Sequence, residues 1–163
     1  MRWVWIVVFG FALLAVEVGV ISQLRPVAVG PDVVLLLAIF LAFYGPVEDA
    51  PLSGWLLGLG RDALSAGTMG LYAVLYMGLC FFLSRIRADI FLEYNKSHVV
   101  NAAFATFFCY LGSAAWHTLQ GAPLGRAVLT ALMVAGWNAA LAPSAFWLFF
   151  NFSRPLETAR RPR

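Results

Sequence analysis

The sequence predicts an all-α polytopic membrane protein of six transmembrane helices, the third of them short or broken. Three observations lead there. Of 163 residues, 62% are hydrophobic and 12% charged, against about 45–50% and about 25% in a soluble domain. Successive apolar runs approach or reach the roughly 20 residues that cross a hydrocarbon core about 30 Å thick. The basic residues lie at the ends of these runs, so the net charge of +3 reads as a topology signal and excludes nothing but a nucleic-acid argument based on charge.

The first segment, residues 3 to 22, is interrupted only by Glu17. It is too long for a signal-peptide core and no Ala-x-Ala-like exit follows it, so it is expected to remain as a helix. The second starts at Pro31, whose fixed φ suits a first helical turn, and runs through VVLLLAIFLAF to Tyr44. Residues 50 to 60 are apolar but short, and Arg61 with Asp62 interrupts them before the fourth run, residues 69 to 84. The third segment is thus a short crossing or a re-entrant piece. Residues 98 to 116 and 127 to 150 form the last two, with a kink or unwound turn expected near Asn138 and Pro143. Between them, residues 85 to 96 carry five charges among apolar residues at near-helical spacing, the pattern of an interfacial amphipathic turn. Residues 1 to 153 then form one transmembrane domain, and residues 154 to 163, with four arginines and two prolines, a solvated cytoplasmic tail.

With the amino terminus inside, six crossings place Arg2, Arg85, Arg87, Lys96, Arg154, Arg160, Arg161 and Arg163 in the cytoplasm and Arg25, Arg61 and Arg126 outside. Eight against three obeys the positive-inside rule. A five-span arrangement exchanges Arg2 for Arg25 and scores the same; the α-amino group beside Arg2 favours six.

Antiparallel packing puts Glu17, Arg25, Asp32, Arg61 and Asp62 in one outer polar layer. A carboxylate near hydrocarbon is costly enough to require a partner or a cavity, and Arg61 or Arg25 is the expected partner of Glu17. An internal ion pair holding helices together is favoured over a substrate or partner site; Asp32 has the further reading of a carboxylate complementing a helix dipole. Gly54 and Gly58 form a Gly-x-x-x-Gly pair suited to close helix packing, and Asn138 is expected to bridge helices. His98 and His117 are 19 residues apart, about 28 Å along a helix, and cannot share a metal. Cys80 and Cys109 are isolated in apolar runs and read as small core residues. No serine has a nucleophile motif, so neither catalysis, cofactor nor metal is expected.

Two stretches, GPDVVLLLAIFLAFYG at residues 30 to 45 and GWLLGLGRDALSAGTMGLYAV at 54 to 74, resemble the bacterial rod shape-determining protein MreD family. The matching positions are Pro31, Asp32, Gly58, Leu59, Asp62 and Gly70. The resemblance implies a non-enzymatic inner-membrane subunit of the cell-elongation machinery, both termini cytoplasmic. It would partner the bitopic protein MreC and, through it, MreB filaments and peptidoglycan synthases. It also implies a likeness in fold to the vitamin-binding subunits of energy-coupling-factor transporters, which makes small-molecule uptake the rival function. Those subunits tend to present Ala-x-x-x-Ala on the first helix, where this chain has Glu17 between Ala15 and Gly19, and a charge there opposes the rival. A structural subunit of another membrane complex is the third reading.

Reporter fusions or cysteine probes should find residues 48 and 49 on the cytoplasmic side together with the carboxyl terminus. Residues 48 and 49 outside, with the carboxyl terminus inside, would establish the five-span arrangement instead.

Overall fold

A computed structural model describes residues 8–10, 12–15, 19, 30–64, 68–87 and 95–158, with side chains of the last stretch described from 99 to 152. Five helices are complete: α1 (Val33–Tyr44), α2 (Ala50–Leu64), α3 (Leu71–Ile86), α4 (Asn95–Leu119) and α5 (Leu124–Thr158). Residues 8–10 and 12–15 are helical as well, and no strand occurs among the described residues. Of the interfacial turn expected over residues 85–96, residues 88–94 lie outside them, while Arg85 and Ile86 end α3 and Asn95 and Lys96 begin α4.

α1 is the centre of the molecule. Nine of its twelve residues are buried, from Val34 to Phe43, as befits a helix that is apolar on every side. It touches all four other helices, which form two antiparallel pairs, α2 with α3 and α4 with α5. The first pair is set by glycine. A Cβ on Gly54 would lie 2.5 Å from the carbonyl oxygen of Tyr76, and one on Gly58 2.5 Å from the Cα of Ala73. The two backbones therefore touch directly, and the Gly-x-x-x-Gly pair serves packing within the chain. The helical residues 8–10 and 12–15 run alongside α2 in the same direction, since a Cβ on Gly10 would meet Leu57 and one on Gly60 would meet Leu14, each at 2.6 Å.

Helix ends explain the boundaries. α1 begins at Val33, with Asp32 as its N-cap accepting from the Leu35 amide at 2.9 Å. Pro31 accordingly precedes the cap and does not fill the first helical turn expected of it, because the carboxylate one residue later satisfies an otherwise orphaned N–H. At the other end Gly45 N–H donates to Leu41 O at 2.8 Å, and the Arg87 guanidinium donates to the Phe43 and Gly45 carbonyls. A cation thus covers the negative end of the helix whose positive end an aspartate caps.

α2 does not stop at Gly60 but continues to Leu64 through Arg61 and Asp62. These charges fail to interrupt it because each has a partner: Arg61 faces Asp32, and Asp62 caps α3. Gly70, with φ of 96°, makes the left-handed step into α3 that a side chain would resist. α4 closes in a Schellman motif, with Ala122 N–H donating to His117 O and Gly121 N–H to Thr118 O, each at 3.0 Å, and Gly121 at φ 95°. α5 is helical throughout, so no unwound turn occurs at Asn138 or Pro143, and the helix continues to Thr158, into the arginine-rich segment predicted to be a solvated tail. A proline removes one ladder hydrogen bond, which neighbouring helices can tolerate inside a membrane.

Among the described residues two stretches are long and apolar enough to cross a membrane, Val99–Leu119 and Leu124–Phe152; α1 and α3 are apolar but shorter. At 1.5 Å per residue α1 measures about 18 Å, well short of a hydrocarbon core of about 30 Å. At its carboxyl end it stands on an aromatic floor, in which Phe40 meets Phe146, Phe149 and Phe150 with centroids 5.0–5.8 Å apart.

Gly58→Ala should lower the melting midpoint in detergent by the equivalent of about 1–3 kcal/mol, the usual penalty for overpacking. Gly78→Ala, on the open face of α3, should leave the midpoint unchanged or raise it. Equal effects at the two positions would show that the α2–α3 backbone contact is absent.

Candidate functional site

Polar side chains from four helices converge on the start of α1. Asp32 is fully buried. Its Oδ1 accepts from the Leu35 amide, while Oδ2 accepts from the hydroxyl of Tyr76 on α3 at 2.7 Å and of Tyr110 on α4 at 2.8 Å. The guanidinium of Arg61, on α2, lies 3.8 Å from the same Oδ2. The Asp32 backbone N–H donates to Asn138 Oδ1 on α5 at 2.9 Å, and Asn138 Nδ2 donates to Thr106 Oγ1 on α4 at 3.0 Å. One residue is thereby tied to every other complete helix.

Each donor stands there for a local reason. Tyr72 and Tyr76 are one turn apart on α3, so both project toward the junction. Arg61 lies over the Tyr72 ring, 5.9 Å from its centroid, and the Tyr72 hydroxyl accepts from Ser113 Oγ on α4 at 3.5 Å. Asn138 is buried on the inner face of α5 together with Ala131, Val134, Ala135 and Ala142, and Thr106 is buried on α4. Small neighbours let two hydrogen-bonding side chains approach across the α4–α5 seam.

Depth follows from these bonds. Asn138 is the central residue of the 29-residue stretch Leu124–Phe152, and Thr106 is thirteen residues before Leu119, about 20 Å along α4. Asp32 is bonded at that level and so lies near the middle of the long helices, deeper than the outer layer expected for it. α1 is a half-length helix whose positive end lies at mid-depth. In broken-helix transporters such an end faces a bound anion; here the chain's own carboxylate occupies it.

Of the five residues expected in one polar layer, Asp32 and Arg61 are brought together. Asp62, also buried, caps α3 from the preceding helix, accepting from the amides of Gly70 and Ala73 at 3.0 Å and of Tyr72 at 3.1 Å. Glu17 and Arg25 lie outside the described residues. The family-motif positions cluster at the same junction: Pro31 precedes the cap, Gly58 seats α2 on α3 with Leu59 half-buried beside it, and Gly70 turns the chain into the helix that Asp62 caps. Sequence reasoning missed Tyr72, Tyr76, Tyr110 and Thr106. The available signal was a hydroxyl in the middle of an apolar helix, which needs a partner.

This constellation can accept, donate and neutralise, but it holds no nucleophile aligned with a base. Ser53 donates to the Asp49 carbonyl and Ser113 to Tyr72. Among the described residues no group of three His, Cys, Asp or Glu could hold a metal ion. Fold and site together define a helical membrane protein whose short core helix is fixed by a buried polar knot. The chain belongs to the MreD family of rod shape-determining proteins, whose family model matches residues 1–151. Membership gives it a role in determining rod shape and a place in the membrane. No curated protein and no solved structure matches it.

Asp32→Ala strands two phenol hydroxyls, an amide and a guanidinium, and should lower stability by about 3–5 kcal/mol, as when one member of a buried pair is removed. Tyr76→Phe should cost about 1.5–3 kcal/mol, the range for a hydrogen bond to a charged group. Melting of the double variant should show the two losses to be non-additive; full additivity would mean that the two side chains do not interact.

Proposed function

We propose that this chain is a non-enzymatic scaffold subunit of the bacterial cell-elongation machinery, holding an MreC-like bitopic protein in the inner membrane and, through it, MreB filaments and peptidoglycan synthases. The observation that carries this reading is how the interior polar groups are used. Asp32, Asn138 and Asp62 are each satisfied by groups of the chain itself, and their hydrogen bonds hold helices. A substrate site would aim such groups at open space. What faces outward is apolar instead: Phe104 and Phe108 on α4, and Leu132, Trp137 and Trp147 on α5. These are surfaces for lipid and for other transmembrane helices.

The same reading has six crossings with both termini cytoplasmic, in a single domain of residues 1 to 153 followed by an arginine-rich tail. The alternating directions of the helices support it, as does the eight-to-three distribution of basic residues.

Purification in mild detergent should recover an MreC-like bitopic protein in fixed ratio with the chain, and depletion should convert rods to rounded cells. Loss of vitamin uptake with cell width unaltered would overturn the scaffold reading and establish the transport alternative.

A further inference from the structure

Among the described residues nothing covers one face of α3 from Val74 to Arg85. Val74, Met77, Phe81 and Phe82 are 60%, 39%, 50% and 60% exposed, Gly78 is open, and the exposed Arg85 ends the row. The spacing is three and four residues, so these side chains form one stripe. Its parts differ in chemistry. The Arg85 guanidinium lies over the Phe81 ring, 4.9 Å from the centroid, a cation–π contact that holds the charge at one end of the apolar surface. Among the described residues no carboxylate pairs with it. Arg87, two residues on, is engaged by the carbonyls that end α1, whereas Arg85 is exposed beside the Phe81 ring. Gly78 makes a notch in the stripe, since a Cβ there would meet nothing within 4 Å.

The dimensions match one leaflet. From Arg85 to Val74 is eleven residues, about 16 Å along the helix, and half of a hydrocarbon core is about 15 Å. Val74 lies between Tyr72 and Tyr76, at the level of the buried knot near mid-depth. The stripe therefore runs from the middle of the molecule to the end where α1 terminates, with its charge at the headgroup end.

We propose that this face of α3 is a binding site for an anionic phospholipid, the phosphate paired with Arg85 and an acyl chain laid along Phe81, the Gly78 notch and Val74. The occupant is argued from complementarity: a positive head, an apolar track of acyl-chain length and no counter-ion among the described residues. A partner helix would need no cation at one end of the track. A free phosphate would need no track.

Full-length protein extracted in mild detergent would be titrated with phosphatidylglycerol and with phosphatidylcholine of the same acyl chains, counting bound lipid by native mass spectrometry. The unaltered protein should retain the anionic lipid preferentially. Arg85→Gln should weaken that retention about fivefold, the effect of one basic residue at a charged membrane surface, while Arg85→Lys keeps most of it. Gly78→Leu, which fills the notch, should weaken retention of both lipids. Both positions are exposed, and unchanged melting of each variant would show that the loss is local. Excess inorganic phosphate should not displace the lipid.

Three results would overturn the proposal. The first is an Arg85→Gln variant with unchanged preference between the lipids. The second is displacement by inorganic phosphate, the mark of a bare anion site. The third is release of a bitopic partner by Arg85→Gln and Gly78→Leu with lipid retention intact, which would make the face a protein interface.

Discussion

A carboxylate buried at mid-depth in an apolar bundle must be satisfied from several directions at once, and the arrangement of this protein follows from how Asp32 is satisfied. Even by the lower estimates, a lone acid at the centre of a transmembrane helix costs about 2.5–3.5 kcal/mol. Two tyrosine hydroxyls, a backbone amide and a guanidinium meet that cost here, and they come from α3, α4, α1 itself and α2. Because each donor sits on a different helix, the group that is expensive to bury also fixes the helices relative to one another. The Asn138–Thr106 bond extends the constraint to the α4–α5 pair.

α1 can then be short. A helix of about 18 Å would expose its positive end within the hydrocarbon if that end were bare. Asp32 caps that end and Arg87 covers the other, so the macrodipole is neutralised at both termini although the helix begins inside the bundle. With its ends satisfied and its flanks apolar, the helix fills the middle of the bundle as a packed core. The same economy is repeated in α3, whose first amides are met by a carboxylate from the end of α2. Two short helices are thus each capped by an aspartate, Asp32 within the bundle and Asp62 from the end of the preceding helix.

The consequence for function is a division between inside and outside. Hydrogen-bonding capacity is used internally to set helix positions, and the outer faces are left for neighbours that differ from one face to another. On α3 the open face ends in a stacked arginine and has the proportions of a lipid; on α4 and α5 it is bulky, aromatic and uncharged. Chemically distinct faces are compatible with the scaffold role proposed above, and the shape-determining family to which the chain belongs works in the membrane.

Much of this was legible in the sequence. Composition and run length determined an all-helical membrane protein, because a chain this apolar has few other ways to satisfy its backbone. Local chemistry marked the helix junctions too, in Pro31–Asp32, Gly54 with Gly58, and the Arg61–Asp62 pair. What the sequence could not determine was direction and depth. Arg61 and Asp62 are adjacent in the chain, yet one turns to the start of α1 and the other to the start of α3, and only the packing of α2 between them decides which. Tyr76 and Tyr110 read as ordinary aromatics until tertiary contact placed both hydroxyls on one carboxylate oxygen. Hydropathy and residue type are properties of a segment, whereas a hydrogen bond across 78 or 106 residues exists only once the helices have been brought together, and those bonds set where α1 begins.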